Sequence, residues 1–315
     1  MTNEWRYTQT DPSRVVVREI EIDSGRGGDE VVIVHMTDPH FNAHTENDLK
    51  NPILASTIEH RKWQAGGASV PNLERCLEYA KGVNADQVVI TGDVLDFLSE
   101  GCINLMNEHL WAKYPDTIVS LGNHELAYKV QGKLPDDAPI EPKYELLQKN
   151  WNHDIRYSAK VLGDKVMIIQ MDNASAWDFG NRGFFDIQVE PLKRDLTLAR
   201  EKGYTVLLFY HTPMSTEDRS KDPVKSSMVG DKNMHTVNFA HIGIASYIEG
   251  ATGEIYRMIT SNADIIKGCF CGHFHSDFYT ELKATNADGT DAVIPQYVLM
   301  GTPYGKGHVL KITVK

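Results

Sequence analysis

Nowhere in its 315 residues does this chain hold an apolar run long enough to cross a bilayer, which excludes a helical membrane-spanning protein. The opening "MTNEWRYTQTDPSR" has neither an apolar core nor a small-residue cleavage site. No secretory signal is read there, and a cytoplasmic protein is expected. Basic runs are missing too: Lys and Arg total 32 against 43 Asp and Glu, a net charge of −11. A protein that grips nucleic acid by its phosphates needs clustered cations, so strong nucleic-acid binding is not expected. Cysteine is scarce. Cys76, Cys102, Cys269 and Cys271 are too few for a disulfide framework, and no CxxC pair suggests a zinc ribbon. Repeats and Pro- or Ser-rich linkers are absent as well, so residues 1–315 read as a single domain.

What the chain does have is a series of short apolar runs: "VVIVHM" (31–36), "QVVIT" (87–91), "TIVSL" (117–121), "KVMIIQM" (165–171), "TVLLFY" (205–210) and "IIKGCFC" (265–271). Their length and β-branched content suit strands buried on both faces. Helical spacing lies between them, as in Leu73, Cys76, Leu77 and Ala80 within 71–82, with Gly82 as a stop. Leu192, Leu196 and Ala199 recur likewise within 190–203, between Pro191 and Gly203, and Ile255, Met258 and Ile259 within 251–264. Such alternation predicts a layered α/β domain. "VVVREIEI" and "GHVLKITV", near the two ends, add strands from which a second, partly antiparallel sheet is expected. Two polar stretches, 41–70 and 212–246, break the pattern and read as functional insert loops.

Five of the strands run straight into polar clusters. The first meets Asp38 and His40, the second "GDVLD" with Asp93 and Asp96, the third "GNHE" with Asn123, His124 and Glu125. "TVLLFY" meets His211, and "IIKGCFC" meets "GHFH" with His273 and His275. Singly, each has a bland reading: "GD" is a common turn, a lone His is usually structural, and a His pair can face solvent. Five in order on five strands are a different matter. Ligands bind at the carboxyl ends of strands in open α/β sheets, so strands sharing one sheet would gather the clusters at one rim.

In this order, Asp-x-His, Gly-Asp-x-x-Asp, Gly-Asn-His-Glu, a lone His and Gly-His-x-His resemble the calcineurin-like metallophosphoesterase superfamily, over residues 38–275. The resemblance implies a four-layer α-β-β-α sandwich with two mixed sheets and two divalent metal ions at the strand ends. By motif, Asp38, His40 and His275 resemble the ligands of one ion, and Asn123, His211 and His273 those of the other. Asp93 resembles the carboxylate that bridges both. His124 resembles the non-ligand histidine that faces the substrate, and Asp96 the partner that orients it.

Mixed carboxylate, imidazole and amide donors suit Mn, Fe, Zn or Ni and not a soft thiolate site. Cys269 and Cys271, inside an apolar strand, are expected to pack. A bridging carboxylate can hold two ions roughly 3.5–4 Å apart, the spacing used for in-line displacement at phosphorus. Water on such ions loses a proton near neutral pH and becomes a hydroxide nucleophile. Asp38 and Asp93 cancel only half the charge of two divalent ions, which leaves an electropositive spot for a phosphate dianion in an acidic protein.

The expected reaction is therefore attack of a metal-bound hydroxide on a phosphomonoester or phosphodiester of a small soluble substrate. His124 would assist the leaving oxygen, general acid catalysis being worth roughly 10²–10⁴-fold. The bland alternative for His124 is a turn residue capping the next helix. Two subclass patterns are incomplete. Purple acid phosphatases carry a Tyr where Asp96 stands, and protein Ser/Thr phosphatases an Arg where Phe97 stands. The rival reading is a non-catalytic scaffold of the same fold, but scaffolds lose ligands and none is missing here. Asn173 and "GTPYG" (301–305) sit at further strand ends, where rim lining and turn formation both fit. Neither substrate identity nor oligomeric state is written in the sequence.

Overall fold

Along residues 31–36, Val31 and Ile33 turn to one side with His35, while Val34 and Met36 turn to the other, and all five are buried. A strand covered on both faces belongs to the middle of a layered structure. The computed structural model describes residues 6–8, 15–62, 68–130, 138–174, 183–214 and 250–315. Its first sheet runs in the order β1 (Arg6–Thr8), β2 (Val16–Ile22), β12 (His308–Val314), β3 (Val31–Met36), β4 (Gln87–Thr91) and β5 (Ile118–Ser120). The second runs β10 (Phe278–Thr285), β11 (Asp291–Val298), β9 (Ile266–Cys271), β8 (Thr205–Phe209), β7 (Val166–Met171) and β6 (Tyr157–Leu162).

Strands β3, β4 and β5 are parallel, as are β7, β8, β9 and β11. Parallel neighbours need crossover connections, which helices supply for all but β9 and β11, joined through β10. The described α-helices are α1 (Pro52–Arg61), α2 (Ser69–Gly82), α3 (Glu100–Met106), α4 (Ile140–Asn150), which leads from the first sheet to the second, α5 (Val189–Lys202) and α6 (Gly250–Thr260).

Three apolar clusters define the layers. Between the sheets, Ile33, Val89, Ile118 and Leu310 meet Ile168, Leu207, Phe209 and Phe270. Phe270 stacks on Phe209 and Tyr297, with ring centroids 4.9 and 5.4 Å away. Outside the first sheet, Leu73, Cys76, Leu77, Cys102 and Leu147 cover Val34, Met36, Ile90 and Val119. Outside the second, Leu192, Leu196, Ala199, Ile255 and Ile259 cover Val206, Leu208, Cys269 and Cys271. The result is the expected α-β-β-α sandwich. Each buried aliphatic or aromatic side chain is worth roughly 1.5–3 kcal/mol, so these three seams hold the fold. Among the described residues, no helix is long and apolar enough to cross a membrane.

The fold departs from the sequence reading in three places. The terminal strands do not build the second sheet: β12 pairs with β2 on one side and with β3 on the other, in the first. The five cluster-bearing strands are split between the sheets, three in one and two in the other. The rim is nevertheless common, because the sheets stack with those carboxyl ends together: His273 N donates to Asp38 Oδ2 at 3.0 Å. Finally, 41–70 is not all loop. Pro52–Arg61 is helical, capped by Asn51, whose Oδ1 accepts from Ile53 N at 2.9 Å. Beyond Met214, the stretch 212–246 lies outside the described residues.

Candidate metal centre

The polar side chains meet because the backbone turns sharply at each strand end. Seven non-glycine residues in the described chain take positive φ, and five of them are Asp38, His40, Asp93, His273 and His275. That conformation is costly for a residue with a Cβ, and its concentration here marks a functional site. Glycines make the close approaches. A Cβ on Gly122 would lie 2.0 Å from Asp93 Oδ1, and one on Gly272 would lie 1.8 Å from Thr37 Oγ1. Glu125, buried behind the rim, accepts from Asp93 N at 3.0 Å, Leu95 N at 2.8 Å and Gly122 N at 2.6 Å. It ties the second and third clusters together. Burial, reinforced by the Asp93 charge, raises its pKa to about 7.

The first donor group is Asp38, His40, Asp93 and His275, whose ligand atoms all lie within 4.8 Å of one another. His40 Nε2 is 2.8 Å from His275 Nε2, and His275 Nε2 is 3.1 Å from Asp38 Oδ1. His40 Nδ1 donates to Asp96 Oδ1 at 3.0 Å, which in the neutral ring leaves a lone pair on Nε2, facing the group. Burial lowers the His40 pKa against the pull of Asp96, which favours that neutral ring.

Asp93, His211 and His273 form the second group. His211 Nδ1 donates to the Thr91 carbonyl at 2.7 Å, so its Nε2 carries the lone pair of the neutral ring. Around that Nε2 stand Asp93 Oδ2 at 3.2 Å, Asn123 Oδ1 at 3.2 Å and His273 Nδ1 at 3.1 Å. Neutral His211 thus turns an acceptor toward a carboxylate and an amide oxygen. Positive charge is what such a cluster calls for. Without an ion it comes as a proton: burial would lower the His211 pKa, but the Asp93 carboxylate lifts it to about 10. His273 is pushed down to about 3 by burial and by the neighbouring His211. Hard and borderline donors of this kind fit a divalent transition-metal ion at each group, with Asp93 common to both.

His124 stands beside the first group, its ring centroid 4.7 Å from that of His40. Its backbone N donates to Asp93 Oδ1 at 2.9 Å. Its Nδ1 donates to the main-chain carbonyl of Asp96 at 2.7 Å, while the Asp96 carboxylate is 3.6 Å away. The contact expected from the carboxylate is therefore made by the carbonyl. The carboxylate is occupied elsewhere, by His40, by Asn42 Nδ2 at 2.7 Å and by Arg61. Burial alone would raise the Asp96 pKa, but His124, His40 and Arg61 hold it well below the usual carboxylate range. For His124 the balance goes upward, with the Asp93 and Asp96 charges overriding burial.

Residues 31–277 match the family model for calcineurin-like phosphoesterases. The chain belongs to that family. Among solved structures, it is similar to a dimetal phosphatase from Danio rerio, at 12% identity over 89% of this chain and 90% of that one, with a TM-score of 0.49. Purple acid phosphatase PPD1 from yellow lupin (Lupinus luteus) seeds is 13% identical over 90% of this chain and 46% of that one, with a TM-score of 0.45. No curated protein matches. The calcineurin-like phosphoesterase match encloses every motif residue from Asp38 to His275 and stops short of "GTPYG".

All nine motif residues of the calcineurin-like phosphoesterase pattern lie at this rim, and Cys269 and Cys271 do not; they pack on the helix side of the second sheet. His35 is a core residue, its Nε2 2.8 Å from Thr91 Oγ1. Asn42 and Arg61 were not singled out from sequence, while Glu125 and Tyr304 were named there only within "GNHE" and "GTPYG". Glu125 was readable from its place in "GNHE". Arg61 was hidden because its helix lay in a stretch read as loop. Tyr304 belongs to "GTPYG", for which rim lining was one of two readings; its contact with His275, Oη to Nδ1 at 2.8 Å, is what only the fold reveals.

Proposed function

We propose that this protein is a metal-dependent hydrolase of phosphate esters, acting on a small, water-soluble substrate in the cytoplasm. The observation that carries the reading is the crowd of acceptors around His211 Nε2, next to the paired His40 and His275 nitrogens. In this reading Asp38, His40 and His275 would hold one divalent ion and Asn123, His211 and His273 the other, with Asp93 shared by both. When bound, such ions supply Lewis-acid polarisation of phosphoryl oxygens and a water of lowered pKa as nucleophile. The remaining steps fall to the chain. Asp96 keeps His40 oriented through its carboxylate and His124 through its carbonyl. His124 keeps one proton on Nδ1 against the Asp96 carbonyl, so the protonated ring, favoured by the Asp93 and Asp96 charges, carries a second on Nε2, which passes to the leaving oxygen and leaves the ring neutral.

The test is hydrolysis of p-nitrophenyl phosphate and bis(p-nitrophenyl) phosphate by protein loaded with Mn²⁺. Turnover of either ester, abolished by a chelator, supports the reading, and the preferred ester separates monoesterase from diesterase. Two bound ions with no turnover of either would favour the non-catalytic scaffold.

A further inference from the structure

The turn "GTPYG" (301–305) carries a side chain that neither the motif residues nor the reading above uses. Tyr304 is 41% exposed although it lies against a buried cluster. It is not a loose tip. Thr302 N and Oγ1 donate to the Thr37 carbonyl at 2.9 and 2.5 Å, one residue before Asp38. Asn72 Nδ2 donates to the carbonyls of Thr302 and Pro303 at 3.0 and 2.8 Å. Gly301 leaves only the room required, because a Cβ there would lie 3.2 Å from both Asp38 Cβ and the Tyr304 ring. An aromatic ring held this firmly and left open to solvent is preorganised for a ligand.

Its hydroxyl is tied to His275 Nδ1 at 2.8 Å, and chemistry sets the direction of that bond. His275 Nε2 is the nitrogen that faces the first donor group, beside His40 Nε2 and Asp38 Oδ1. A nitrogen that ligates an ion carries no proton, so a neutral, ligating His275 keeps its proton on Nδ1. That N–H must donate to Tyr304 Oη. The phenol is then the acceptor in this pair, and its own O–H is left to donate to something else. We propose that Tyr304 contacts the substrate, its hydroxyl donating a hydrogen bond to a phosphoryl oxygen at the exposed side of the first group. The inference rests on the phosphoesterase reading and adds a recognition residue to it.

Tyr304→Phe deletes the hydroxyl and keeps the ring, at an exposed position where folding is not at stake. Three quantities decide the matter: manganese per chain, the dissociation constant for inorganic phosphate by calorimetry on Mn²⁺-loaded protein, and kcat and KM for p-nitrophenyl phosphate. The expected result is both ions retained, phosphate bound about tenfold more weakly or worse, and kcat/KM reduced to match, the scale of a lost hydrogen bond to a charged group. Phosphate affinity within twofold of wild type at equal manganese content overturns the proposal. So does a variant that sheds manganese and regains full phosphate affinity in excess metal, which would leave Tyr304 as a partner of His275 alone. Wild-type protein that holds manganese yet neither binds phosphate nor cleaves an ester sinks the phosphoesterase reading itself, a separate outcome.

Discussion

Arg61 and Asp96 form a buried, two-pronged ion pair: Arg61 Nε donates to Asp96 Oδ2 at 2.9 Å, and Nη2 donates to Oδ1. Helix α1 thereby reaches the rim through its last residue. Removing one partner of a buried pair leaves an uncompensated charge, at a cost of about 3–5 kcal/mol. Arg61→Met is expected to lose stability on that scale in urea unfolding. Arg61→Lys should recover part of it, because lysine keeps the charge and loses the fork. If both variants unfold with wild-type midpoints, the pair contributes nothing to the fold.

His124 and Asp93 are predicted to fail differently. His124→Ala should keep its metal and lose turnover by roughly 10²–10⁴-fold, the range for a general acid. Asp93→Ala should lose at least one ion per chain in elemental analysis. Two ions retained in the second variant would end the bridging assignment, and metal lost in the first would make His124 a ligand.

Cys269→Ser combined with Cys271→Ser should leave metal content unchanged. Both thiols are fully buried on the helix side of the second sheet, and burial raises both pKa values. The double variant should instead lose stability, by up to about 1–3 kcal/mol for each hydroxyl that does not keep the thiols' contacts with Tyr210 and Gln296. A fall in bound metal would bring thiolate ligation back.

Asp172, at the end of β7, is buried against Tyr144 Oη at 2.9 Å and Arg156 Nη1 at 3.2 Å. Burial raises its pKa to about 7, with Arg156 opposing. The folded protein therefore keeps a proton there that the unfolded chain loses near the ordinary carboxylate value. Its contribution is complete in acid below that value and disappears as pH rises through about 7. Relative to Asp172→Asn, wild type should lose up to about 1.4 kcal/mol per pH unit between pH 5 and 7. Unfolding midpoints at three pH values measure the difference, and parallel profiles would contradict it.

Much of this was legible in the sequence for a physical reason. Buried parallel strands such as "VVIVHM" and "QVVIT" need apolar residues on both faces, so β3 and β4 announce themselves and coincide with the runs. The motif residues follow those strands directly, which made Asp38, Asp93 and Asn123 easy to find. Helix α1 was obscured by thin apolar content, Leu54 and Ile58 being its buried aliphatic residues, although the pair Asn51 and Pro52 did signal a helix start. Sheet membership was not readable either. The alternation in β2 and β12 shows that each has a covered face, and only the register Ile312↔Ile33 shows which sheet they join. Asp96 stands beside His124 as the motif suggested, but that its main-chain carbonyl makes the shorter contact carries no sequence signal.

Each donor group draws on both sheets. Asp38, His40 and Asp93 descend from the first and His275 from the second, while His211 and His273 of the second group meet Asp93 across the same gap. A cation in either place would act as a rivet through the sandwich, gripping both plates at one edge. Ligation of the folded chain alone adds about 4 kcal/mol at a thousandfold excess over the dissociation constant. Stripping the metal would then weaken the edge where the two plates meet, whatever it did to turnover.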